Sequence, residues 1–131
     1  MLRFARLGLV AVGLLAGFAF ADTLTTQPSY DDNNGAASQT ITAGNTGAPI
    51  YIRHFPVSLT AIPGGCPSAC TGTMTVQYTT SPFSAIAAGT ATWITWTAGT
   101  VSSATGDVPW GPIMAVRASA ATSNGTFEVV Q

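Results

Sequence analysis

From Gln39 onward, threonine, valine, isoleucine and aromatic residues alternate with polar ones in short runs broken by glycine, proline and asparagine, and no segment sustains an apolar stripe at helical spacing. The pattern predicts an all-β body without helices. Strands are expected over 39–43, 49–55, 57–61, 72–80, 90–97, 99–103, 113–122 and 126–130. So many short strands within about ninety residues point to one small antiparallel β-sandwich, Ig-like or jelly-roll-like, spanning 39–131.

Two stretches fix which residues face inward. Asn124-Gly125 between two alternating runs reads as the two-residue loop of a C-terminal hairpin, which needs positive φ at both central positions. With Ser123 opposite Thr126, Thr122 meets Phe127 and Ala120 meets Val129. Met114, Val116, Ala118, Ala120, Phe127 and Val129 then share the core face, and Arg117, Ser119, Glu128 and Val130 the other. Likewise Met74, Val76 and Tyr78 face one way and Thr73, Thr75, Gln77 and Thr79 the other, which predicts a threonine-lined outer face.

The chain before this body divides in two. Residues 1–21 carry Arg3 and Arg6, then the uncharged apolar run Leu7–Phe20, then Ala19-Phe20-Ala21 with small residues where a signal peptidase reads, which is the pattern of an export signal. As a helix the run rises about 21 Å against a hydrocarbon core of roughly 30 Å, so a cleavable signal is favoured over a span. A retained anchor or buried arm, giving membrane contact through residues 1–21, and a start codon placed too early are the other readings. Residues 22–38 are polar and turn-rich, without periodicity, and read as a flexible arm. Asp31 to Gly35 departs from calcium-loop spacing and reads as a turn.

Charge excludes one class of function. Only 7% of the 131 residues are charged and lysine is absent, so no basic patch exists to neutralise several phosphates, and nucleic-acid binding is not expected. A positive mean hydropathy of +0.36 argues that the chain folds. Without residues 1–21, Arg53 and Arg117 stand against Asp22, Asp31, Asp32, Asp107 and Glu128, leaving a faintly acidic body. Cys66 and Cys70 lie in a Gly/Pro-rich loop, where a local disulfide is the leading reading for an exported chain, with free thiols the rival. Two thiols and the single His54 cannot complete a closed zinc site, so no metal is expected.

Candidate chemistry is sparse. His54 lies beside Arg53 in an expected strand with no acid or serine placed near it, and reads as a structural or surface histidine. Asp107 falls in a Gly-Asp turn and Glu128 on the outer hairpin face, so no acid pair is signalled. Neither an enzyme, nor a cofactor, nor a small-molecule substrate is expected. Trp93 and Trp96, three apart, go to opposite faces of a strand, which puts one in the core and the other either on the surface, where a ring can stack a sugar or anchor a protein contact, or buried under a loop such as 108–112. Trp110 in the loop 108–112 is a further contact candidate. Natural sheets guard their edges with lysine, other charges or proline, and a body without lysine needs closure or burial against neighbouring copies instead.

Met74 to Ser81, Ala91 to Trp96, Gly99-Thr100-Val101, Gly111 to Ala118 and Asn124-Gly125-Thr126 together resemble small virion structural proteins of tailed bacteriophages, over about residues 72–131. In that family a V-x-Y-S/T strand, a W-x-x-W strand and a closing G-P-V-x-A-I/V-R strand recur in compact β domains that decorate or complete the particle. The resemblance implies a non-enzymatic capsid decoration, cement or fibre-like subunit located in the virion. Its partners would be other copies of itself and a major shell or surface protein. Trp93 and Trp96 would be packing and contact positions, and Arg117 a buried or interfacial pairing residue. The export-like segment and the Cys66/Cys70 loop stand outside the likeness. They leave open an exported bacterial surface or periplasmic binding module, extracellular or periplasmic, in which Trp93, Trp96 or Trp110 contacts a glycan or protein.

Overall fold

The computed structural model describes residues 28–31, 35–66, 68–109 and 111–131. The export-like segment 1–21, the start of the arm and Trp110 lie outside the described residues. The body is a two-sheet antiparallel β-sandwich, in the class the alternation predicts. One sheet has five strands in the order β1 (Ser29–Asp31), β2 (Ala36–Ile41), β9 (Gly125–Val130), β4 (Ser58–Ile62) and β7 (Thr105–Asp107). The other has four: β3 (Ile50–Tyr51), β8 (Ala115–Ala120), β5 (Met74–Thr79) and β6 (Ile94–Val101). Period-2 alternation sends Ile41, Leu59, Phe127 and Val129 inward from the five-stranded sheet. They meet Ile50, Met74, Val76, Val116, Ala118 and Trp96 from the four-stranded one. Each large apolar side chain so buried contributes about 1.5–3 kcal/mol over its exposed state.

The chain changes sheet at most of its connections, and only β1–β2 and β5–β6 pair with their sequence neighbours. This corrects the C-terminal pairing. The two last strands form, joined by the short turn expected around Asn124, and the residues expected to face the core do so, Met114 only partly. Yet β8 pairs with β5 and β3 while β9 pairs with β2 and β4, so Ala120 does not meet Val129. The reason is occupancy. One side of β8 is taken by β5. The other is taken by β3 and by residues 44–47, through Gly44 N–H to Ala120 O at 2.7 Å, Gly47 N–H to Ala118 O at 2.8 Å and a bridge between Thr46 and Ser119. No slot remains for β9, and the turn arches over to the opposite sheet. Gly125 is outside the set of positive-φ glycines, and the Asn124 carboxamide instead accepts the Ala43 N–H at 3.0 Å.

Other boundaries also move. Ser29–Asp31 and the start of β2 lie within the expected arm, so the five-stranded sheet begins there rather than at 39. The expected strands 90–97 and 99–103 are one strand, β6, whose register against β5 shifts between Thr75 and Gln77. A helix expected nowhere, α1 (Phe83–Ala87), crosses between β5 and β6. Its end is a Schellman motif: Thr90 N–H reaches Ala85 O at 2.9 Å and Gly89 N–H reaches Ile86 O at 3.1 Å, with Gly89 at φ 72°. Cys66 and Cys70 are joined in a disulfide, Cα atoms 4.4 Å apart. That loop is closed at its neck by Thr71 N–H to Gly64 O at 2.7 Å.

Two side-chain latches close the sandwich laterally. On one side the Gln131 carboxamide accepts the Arg53 and His54 N–H groups and donates to Tyr51 O at 3.1 Å. On the other the Trp96 indole N–H donates to the Asp107 carboxylate at 3.0 Å, from β6 across to β7. Asp107 is therefore an edge-strand residue and not a turn residue, and it also accepts the N–H of Val108 at 2.7 Å.

Candidate functional site

The outer face of the four-stranded sheet carries the one preorganised polar constellation among the sequence candidates. Antiparallel register puts Arg117 on β8 directly beside Gln77 on β5, and Gln77 beside Thr95 on β6. The Arg117 Nε–H donates to the Gln77 carboxamide oxygen at 2.9 Å. Trp93, in the segment leading into β6, lies against the guanidinium, whose central carbon is 4.2 Å from the ring centroid. One row along, Thr75 faces out between Ser119 and Thr100, with the Thr75 and Thr100 hydroxyls 2.7 Å apart. Thr75 and Gln77 thus line the outer face as the alternation predicts, while Thr79 is buried, its hydroxyl donating to Thr92 O at 2.7 Å and accepting the Ser81 N–H at 3.0 Å.

The surroundings set the electrostatics. Half-burial pushes the Arg117 guanidinium below its ordinary pKa, because leaving water disfavours the charged form. Stacking and the Gln77 bond use one ring-facing side and one N–H. The two terminal amino groups find no carboxylate among the described residues. The result is a rigid cationic fork suited to a carboxylate or another planar anion from outside.

The tryptophan pair divides as the spacing predicts. Trp96 is 4% exposed and belongs to the core, which removes it as a surface contact candidate, while Trp93 lies on the outer side with Arg117. Cys66 and Cys70 lie at one end of the sandwich, remote in register from this face. His54 is exposed in a bend after β3 rather than inside a strand. Among the described residues no three His, Cys, Asp or Glu side chains gather where a metal could be held.

A second cluster was not expected from the sequence. Tyr51 on β3 and Phe83 on α1 meet edge to face, ring centroids 5.4 Å apart, and with Arg53 they line a shallow surface pocket. Tyr30 on β1 lies close by, 49% exposed. Partial burial pushes its hydroxyl pKa up, and nearby Arg53 pulls it back. Its signal was hidden because α1 is too short to show helical periodicity. Comparison of the chain with protein-family models, with curated proteins and with solved structures finds no match.

Proposed function

We propose that this protein is a non-enzymatic structural subunit of a tailed-bacteriophage particle, a capsid decoration, cement or fibre-like component acting through protein–protein contacts. The observation that carries the reading is the stacked Arg117–Trp93 pair on the open side of the four-stranded sheet. These are the residues to which the resemblance assigns pairing and contact roles, and they form a cation held by an aromatic ring beside Thr75, Thr100 and Ser119. Such a face offers a contact surface for another protein. Partners would be further copies of the chain and a shell protein.

One observation favours a second reading. The Cys66–Cys70 disulfide suits an oxidising compartment, as does the export-like segment, and both fit an exported surface or periplasmic binding module. In that case Trp93, and not the buried Trp96, would contact a glycan or protein. Mass spectrometry of purified particles and of cell envelope and medium separates the two. Stoichiometric presence in particles supports the virion subunit. A chain beginning at Asp22, found only in envelope or medium, replaces it with the exported module.

A further inference from the structure

We propose that the two outer faces of the sandwich are complementary and that copies stack head to tail, with Glu128 on the five-stranded face of one copy paired to Arg117 on the four-stranded face of the next. The inference rests on the reading of the chain as an assembly subunit and names the contact that its own copies make.

The strand registers carry the argument. On the five-stranded sheet the central strand β9 places Glu128 directly between Ser38 on β2 and Thr60 on β4, and Glu128 is exposed. On the four-stranded sheet the inner strand β8 places Arg117 beside Gln77 and one row from Thr75 and Ser119. Glu128 on the one face and Arg117 on the other thus carry opposite charge on inner strands, with short hydroxyl side chains at neighbouring register positions. Neither charge forms an ion pair among the described residues. Asp107, by contrast, is committed to the Trp96 indole.

Shape and solvation agree with charge. Ser38 and Thr60 flank Glu128 with short side chains, so its carboxylate stands clear of its sheet and can reach the terminal amino groups of a guanidinium held by Trp93. Arg117 has already lost part of its water in the free molecule, so an incoming carboxylate restores an interaction at a smaller further desolvation cost. Because the two faces differ, the contact is heterologous. It propagates as a stack or closes as a ring and does not stop at a two-fold dimer.

Sedimentation velocity of the full chain over a concentration series tests this. The wild type is expected to gain mass with concentration, less so at high salt. Arg117→Glu and Glu128→Arg should each weaken association by at least about tenfold. An equimolar mixture should regain it, because one variant then carries acid on both faces and the other base on both. Glu128 is exposed, so Glu128→Arg tests the contact without disturbing the core. Arg53→Glu should leave association unchanged. A wild type that stays monomeric, single variants that associate like wild type, a mixture that fails to regain association, or a loss of association in Arg53→Glu overturns the stack. Monomeric protein that is nonetheless stoichiometric in particles overturns this inference alone and leaves the structural-subunit reading standing.

Discussion

A Cβ added at position 125 would enter the space held by the Met74 side chain, and the backbone there has none of the positive φ that marks Gly44 or Gly99. Glycine is required by a neighbour from the other sheet, not by a tight turn. Gly125→Ala should therefore cost on the order of 1–3 kcal/mol in urea unfolding, the usual penalty of overpacking. The same substitution in a Met74→Ala background should cost much less, since the obstructing thioether is gone. Additive effects in that double-mutant cycle would refute the contact. The residue's importance was legible in the sequence and its reason was not, because a glycine beside an asparagine says turn while the Met74 contact spans the core. Trp93 and Arg117 were likewise legible one by one. Their stacking depends on where the segment before β6 lies, which no local pattern encodes.

Inward and outward positions on β5, β8 and β9 could be read directly, because period-2 alternation is a property of each strand alone. Which strand lies beside which could not, since pairing is decided by competition for free edges, and residues 44–47 take the one that β9 would need. The three-residue strands β1 and β7 show too little sequence for any period, and α1 is announced only by Pro82 and Gly89 at its ends. The cysteine loop was readable as a local bridge from its spacing. Its contribution follows from loop length: five residues closed on themselves give about 2 kcal/mol at most by chain entropy. Because the neck bond from Thr71 to Gly64 and the packing of Gly64 and Gly72 against Ser123 do not involve sulfur, the reduced protein should stay folded. Urea unfolding with and without reductant should show a loss no larger than that figure and an unchanged m value. Global unfolding on reduction would show that the bridge organises the sandwich and does not merely decorate it.

Lysine-free edges suggested that only closure or neighbours could keep this sandwich from pairing with other chains, but the molecule has guards of its own. Strands β1, β3 and β7 are two or three residues long, and Asp107 turns its charge toward Trp96 beside the core. The remaining edge, β6, is long and uncharged, Ile94 to Val101, and there the ladder is broken. Thr95 lies opposite Gln77 and Thr100 opposite Thr75, so Trp96 to Gly99 all face the single residue Val76. A bulge of this size twists the edge away from a straight template. Deleting residues 97–99 would set Trp96 against Val76 and leave inward and outward sides unchanged, making a regular Ile-Thr-Trp-Thr-Val edge of high β-propensity without charge. The shortened protein should keep its far-ultraviolet circular dichroism yet scatter light and bind an amyloid dye at concentrations where the parent stays clear. Edge-to-edge pairing through backbone hydrogen bonds is insensitive to ionic strength, whereas stacking through Glu128 and Arg117 weakens with salt. Aggregation that persists at high salt therefore assigns the protection to the bulge, and a deletion variant as clear as its parent would return the burden of edge protection to assembly.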